Sequence, residues 1–283
     1  MRTALTAIPI HTVQTGDGIE IGYRELGSGP PVLLLHGWPT SSLLWREVMP
    51  PIAADHHVIA MDLPGFGASG KPIDARYDFA YFERAVDGLL GVLGIDRVAI
   101  AGHDIGGPIA AHWALGRPAR IAALALLNTL LHPEFSPAVV EFVRSLLGRA
   151  TRDHVTGPAG LAEIMRLGLA DGNELAADVL AAVQAPFATA ADRLALARAG
   201  VGLGMPGFAE IAAGLPSITV PVRAIYGEQD RVLPDVADTM ARLQRDVPHA
   251  EVTPLPGCGH FLQEEEPALV GGLLRQFFAE VSY

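Results

Sequence analysis

Lysine is almost missing from this 283-residue chain: Lys71 is the only one among 20 basic residues, which face 31 acidic ones and leave a formal net charge of −11. An excess of negative charge on that scale disfavours nucleic acid and anionic membrane surfaces as partners. Cysteine is just as scarce. Cys258 stands alone, which excludes an internal disulfide framework and suits a reducing compartment. No apolar run reaches the length of a transmembrane span, and residues 1–11, with one arginine and little apolar length, make a poor signal peptide. The expectation is a cytoplasmic protein. Tyrosine is thinly and unevenly spread: Tyr23, Tyr77, Tyr81, Tyr226 and Tyr283 are all there are, none between residues 130 and 215. Half of the residues are hydrophobic and 18% are charged, a composition that supports a sizeable core and excludes a disordered chain.

Short β-branched runs alternate with helical spacing through the first half. Residues 8–14 and 19–26 flank Gly16-Asp17-Gly18 as a hairpin. Residues 32–35 and 58–61 are continuous apolar runs of the buried-strand kind, with 98–101 a third and 121–127 a fourth. Helices are predicted over 41–54, 79–93 and from Ile109 onward. This alternation predicts an α/β fold with a mostly parallel, doubly wound sheet. The strand rhythm stops near residue 130 and resumes at 220–226, and a last strand follows at 251–255. The stretch between is rich in Ala, Leu and Arg with Gly and Pro breaks, and reads as inserted helices forming a cap. The expected division is a core of residues 1–129 and 216–283, with a helical cap of residues 130–215. Helices are also predicted over 232–245 and after His260.

In doubly wound sheets ligands sit beyond the carboxyl ends of the strands. His36, Asp62, Asp104 and Asn128 fall at such ends, as do Asp230 and His260. Asp104 stands at the tip of a strand–turn–helix between Gly102 and Gly106, where small residues let strand and helix approach. A carboxylate, with an ordinary pKa of about 3.9, is already ionised at neutral pH. It is a ready nucleophile toward saturated carbon and gives an alkyl ester. That ester then needs a base for water. His260 is the candidate base, and Asp230 the acid that orients its imidazole. The backbone N–H groups of Trp38 and Ile105 are the candidate donors to the oxyanion formed on Asp104.

Five segments in order carry a resemblance: His36-Gly37-Trp38-Pro39, Asp62 through Ser69, Gly102-His103-Asp104-Ile105-Gly106-Gly107, Tyr226 through Asp230, and Gly257-Cys258-Gly259-His260-Phe261. From Gly18 to Phe278 the chain resembles the Asp-nucleophile branch of the α/β-hydrolases, the epoxide hydrolases and the haloalkane and haloacetate dehalogenases. The resemblance implies an α/β-hydrolase fold and an enzyme that uses no cofactor or metal, only water and a small apolar organic substrate. It implies Asp104 as nucleophile, Asp230 as acid and His260 as base.

The leaving group separates the readings. Epoxide hydrolases of this branch carry cap tyrosines, and this cap has none; His132, and after it His154, are the substitute candidates. Haloalkane dehalogenases carry Trp after the nucleophile and a second donor after His-Gly, where this chain has Ile105 and Trp38. The Trp38 indole is therefore a candidate halide donor. Haloacetate dehalogenases carry an Arg near the nucleophile, which Ile105 and Pro108 do not supply. Epoxide opening is the first expectation and dehalogenation the second, with a non-catalytic ligand-binding protein as the rival of another class. Other residues read as structural: His36 and His103 as buried hydrogen-bonding groups, Asn128 as a lesser rival to Asp230, and Glu264-Glu265-Glu266 as a solvated helix start. Phe66, Phe135, Met165, Phe187, Met205 and Phe208 are open between pocket lining and core.

Overall fold

A computed structural model describes residue 5 and residues 7–281. Eight strands form one sheet: β1 (His11–Gln14), β2 (Glu20–Leu26), β3 (Pro31–Leu35), β4 (His57–Met61), β5 (Val98–His103), β6 (Ile121–Leu127), β7 (Val222–Gly227) and β8 (Glu251–Leu255). Their spatial order is β1-β2-β4-β3-β5-β6-β7-β8. β1 and β2 form the expected hairpin and β2 runs antiparallel to β4; every other pairing is parallel. The chain leaves β3 for β4 on one side and returns to place β5 on the other. β3 and β5 therefore border the topological switch point, where a crevice opens beyond the carboxyl ends.

Side-chain alternation divides the interior in two. Leu33, Leu35 and Ile100 face one buried cluster, while Val32, Leu34, Ala99 and Ala101 face the other. Both faces are covered there, so the central strands β3, β5 and β6 read as unbroken apolar runs instead of alternating ones.

Twelve α-helices surround the sheet: α1 (Met49–Ile52), α2 (Phe79–Val92), α3 (Gly106–Gly116), α4 (Pro137–Leu147), α5 (Arg149–Val155), α6 (Pro158–Leu167), α7 (Ala177–Gln184), α8 (Ala190–Val201), α9 (Met205–Gly214), α10 (Val236–Asp246), α11 (Leu262–Glu265) and α12 (Pro267–Ala279). The helices α4 to α9 all lie between β6 and β7, where the strand rhythm fails. Three sequence expectations change. The helix predicted over 41–54 is a 3₁₀ turn at Ser42–Trp45 and the short α1, because Pro50 and Pro51 lack the N–H groups a longer helix would use. α10 begins at Val236, not at Val232, since the N–H groups of Val232 and Leu233 both donate to Asp230 Oδ1, each at 2.8 Å. The C-terminal helix is broken at Pro267 into α11 and α12. No helix among the described residues is long and apolar enough to cross a membrane.

Candidate active site

β5 ends in a turn that only a tight local geometry allows. Asp104 sits at φ 51°, the left-handed region that costs a non-glycine residue of order 1–3 kcal/mol. A Cβ at Gly102 would lie 2.3 Å from the Gly106 carbonyl oxygen, so α3 can start this close to β5 only because that atom is missing. The strain is held by fixed bonds: the Thr129 hydroxyl donates to the Asp104 carbonyl at 2.6 Å, and the Gly107 N–H donates to it at 3.0 Å. The result is a carboxylate lifted clear of the sheet at the switch point.

Two backbone groups grip that carboxylate. The Trp38 N–H donates to Asp104 Oδ1 at 2.7 Å, and the Ile105 N–H is a second backbone donor. A Cβ at Gly37 would fall 2.2 Å from Asp104 Cβ, so the turn after β3 reaches the carboxylate only with glycine at that place. Burial pushes the Asp104 carboxyl above the usual carboxylate range, against the pull of the His260 charge and of the two N–H groups.

His260 comes from the turn after β8. Its Nε2 is 3.7 Å from Asp104 Oδ2 and has no hydrogen-bond partner among the described residues. Its Nδ1 donates to Asp230 Oδ2 at 2.8 Å. Burial pulls the imidazole pKa down, but the charge and hydrogen bond of Asp230, then the charge of Asp104, outweigh it and leave the pKa raised. Asp230 runs the other way: burial pushes it up, and the His260 charge, followed by the hydrogen bonds of His260, Leu233 and Asn128, brings it below its ordinary value. The structure thus brings together Asp104, Asp230, His260 and the N–H groups of Trp38 and Ile105. A carboxylate held by two N–H donors, with a free imidazole nitrogen beside it, is equipped to form an ester and to hydrolyse it.

Asn128 joins this group as a partner of Asp230 and not as its rival. At φ 35° and fully buried, its Nδ2 donates to Asp230 Oδ2 at 2.7 Å and to the Gly259 carbonyl at 3.2 Å. The two histidines read as structural are engaged as such. His36 Nδ1 donates to the Gly37 carbonyl and its Nε2 accepts the Leu63 N–H, both at 2.9 Å. His103 Nε2 donates to the backbone carbonyl of His260 at 2.9 Å, which fixes the turn that carries the imidazole.

Above Asp104 opens a cavity of about 390 Å³. Phe135, Phe142, Leu203, Met205 and Phe208 line it, together with Trp38 and the side chain of Ile105. Phe66, Met165 and Phe187 are core residues outside it. Apart from Asp104, the only charged side chain on its wall among the described residues is Arg144.

Neither histidine named as a leaving-group donor reaches this cavity. His132 lines a separate cavity with Asp235 and Arg242, and its Nε2 faces Asp246 Oδ2 at 3.3 Å. His132 stands in the loop that follows β6, and no spacing in the sequence reveals which way it turns. His154 sits on the surface with Glu163, 3.1 Å away. The Trp38 indole N–H already donates to the Leu196 carbonyl at 3.2 Å, so the ring borders the pocket with its donor committed. Tyr283 lies outside the described residues; the other four tyrosines do not line the cavity. The acidic triplet is not simply solvated: Glu264 forms a two-pronged pair with Arg46 at 2.5 and 2.6 Å, and Glu265 accepts three N–H groups.

Comparison with known proteins agrees with the fold. A family model described as alpha/beta hydrolase fold matches residues 30–267. The chain is similar to an uncharacterized hydrolase of Saccharomyces cerevisiae, 38% identical over 120 residues, a segment spanning 42% of this chain and 41% of that protein. It superimposes on the haloalkane dehalogenase DbeA of Bradyrhizobium elkani with a TM-score of 0.85 and 28% identity, covering 96% of this chain and 98% of that one. The epoxide hydrolase CorEH has the same fold, with a TM-score of 0.85 at 24% identity over 96% of this chain and 99% of its own.

Proposed function

The chain belongs to the α/β-hydrolase fold family and is a hydrolase, and from that premise we propose that it displaces halide from an apolar haloalkane through an alkyl ester on Asp104. In the first step an Asp104 oxygen bonds to the carbon as the carbon–halogen bond breaks, and the halide leaves with the electron pair. In the second, water adds to Asp104 Cγ and gives its proton to His260 Nε2. The Trp38 and Ile105 N–H groups hold the resulting oxyanion, and Asp230 stabilises the imidazolium. Collapse breaks the bond from Cγ to the alkoxy oxygen and the alcohol leaves with the proton from His260. The Asp104 carboxyl, left protonated, then passes its proton by way of the neutral His260 to water and is a carboxylate again. The helices within residues 130–215 act as a cap over a core of residues 1–129 and 216–283.

One observation supports halide over epoxide oxygen: among the described residues, no side chain on the cavity wall is free to give up a proton. A leaving alkoxide, like hydroxide from water with a pKa of about 15.7, needs a proton as the bond breaks. A halide does not. Arg144 does not release its proton in proteins, and the Trp38 N–H is committed to Leu196. This reverses the order of the two leaving groups expected from the sequence. The test is turnover of matched panels of 1-haloalkanes and terminal epoxides by the purified protein. Halide release with alcohol formation supports the reading; diol formation from epoxides without halide release overturns it.

A further inference from the structure

Glu265 lies one turn beyond His260 and is the meeting point of two separate segments. Its Oε2 accepts the Gly259 N–H at 2.7 Å, from the residue before His260. Its Oε1 accepts the Ala170 N–H at 2.6 Å and the Asn173 Nδ2 at 2.8 Å. Ala170 and Asn173 belong to the connection between α6 and α7, within the inserted helices.

The same connection is held at two further points. The His260 N–H donates to the Gly168 carbonyl at 2.6 Å. Arg231, next to Asp230, donates to the Leu169 carbonyl at 2.5 Å and the Leu167 carbonyl at 3.1 Å, and pairs with Asp171 at 2.7 Å. The turns carrying the acid and the base are therefore both fastened to residues 167–173. α6, which enters this connection, places Ile164 on the wall of the Asp104 cavity.

We propose that Glu265 is a positioning residue for the base: its carboxylate ties the His260 turn to the 167–173 connection, so that the inserted helices set where His260 Nε2 stands over the Asp104 ester. The inference rests on the alkyl-ester reading above. A carboxylate is required because all three partners are N–H donors. An amide would accept at one end and turn its own N–H₂ toward a donor at the other. Glu265→Gln is therefore a poor substitute despite its shape. His260 faces Asp230, Asp104, His103 and Glu265, and the Glu265 charge adds to those that favour the imidazolium.

The test separates the two steps by single-turnover mass spectrometry with 1-haloalkanes across pH, on Glu265→Gln and on the milder Asn173→Ala. Ester formation needs only Asp104 and is expected to keep its wild-type rate. Ester hydrolysis is expected to slow by about 10²-fold in Glu265→Gln, the scale of a misplacement of roughly 1 Å, and by less in Asn173→Ala. The acid limb of hydrolysis is expected to move to lower pH in Glu265→Gln. Wild-type hydrolysis in both variants overturns the proposal, and so does an equal slowing of both steps. Failure of the underlying reading is distinct from either: then no ester forms even in His260→Gln.

Discussion

Asn128 Nδ2 and His260 Nδ1 meet at one oxygen: both donate to Asp230 Oδ2, at 2.7 and 2.8 Å. The other oxygen, Oδ1, takes the N–H groups of Val232 and Leu233. The carboxylate has no rotational freedom left, and His260 has one tautomer, with Nε2 free toward Asp104.

Removing the amide leaves a buried oxygen and the Gly227 N–H, now paired with Asn128 Oδ1 at 3.1 Å, short of a partner. Asn128→Ala is expected to lower unfolding free energy by about 1–3 kcal/mol, the cost of unsatisfied buried groups, and to slow ester hydrolysis more than ester formation. Chemical denaturation and single-turnover kinetics read the two effects separately.

The imidazole must be neutral to take a proton from water, so hydrolysis rises with pH through the His260 pKa. Asp104 raises that pKa only while it is a carboxylate. As an ester it is uncharged, and one of the charges favouring the imidazolium is gone. The acid limb of ester hydrolysis is therefore expected below the pH at which His260 titrates in the free enzyme. NMR titration of the imidazole, set beside the pH profile of ester decay, checks the order; coincidence of the two contradicts it.

Trp38 has two roles that substitution separates. Its backbone N–H faces Asp104, while its indole N–H bonds to Leu196. Trp38→Phe keeps the first and loses the second. Turnover is expected to fall by no more than about tenfold, the scale of one ordinary hydrogen bond. A loss of several hundredfold in kcat would mean that the indole serves the leaving group.

A titrating cluster of three residues away from the cavity also ties inserted helix to core. His112 on α3 bonds through Nδ1 to Glu83 on α2 and through Nε2 to Glu210 on α9, 2.9 Å away. Two carboxylate acceptors require both nitrogens protonated, and the Glu83 hydrogen bond, against burial and with help from Glu210, raises the His112 pKa. With the folded pKa above the unfolded value of about 6.5, the stabilisation is complete below that pH and is lost as pH rises through the folded pKa. Thermal unfolding is expected to show this loss in the wild type and to lack it in His112→Phe.

Much of the fold was legible in the sequence because fully buried parallel strands leave an unbroken apolar record, as at Leu33 to Leu35 and Ile121 to Leu127. Asp104, Asp230 and His260 could be named as candidates because each follows a parallel strand, β5, β7 or β8, and the parallel topology then gathers their elements at one edge. The cavity wall was not legible. In the α4 to α9 region an apolar residue reads alike whether it faces core or cavity, as Phe187 and Phe208 illustrate. His132 looked available because sequence carries no information on which way a loop residue turns, or on the Asp246 waiting for it. Glu265 resembled a solvated helix start because its three donors come from Gly259, Ala170 and Asn173, two of them some 90 residues away, as the spacings of 95 and 92 positions record. Contacts of that reach leave no local signature.

The central claim, an alkyl ester on Asp104 that His260 releases, is tested most directly by intact-protein mass spectrometry of His260→Gln after incubation with 1-haloalkanes. The account predicts a stable adduct of substrate mass less hydrogen halide, mapped to the peptide holding Asp104 and lost in the Asp104→Asn, His260→Gln double variant. Turnover of the same haloalkanes by the wild type, with no adduct in His260→Gln, would contradict it.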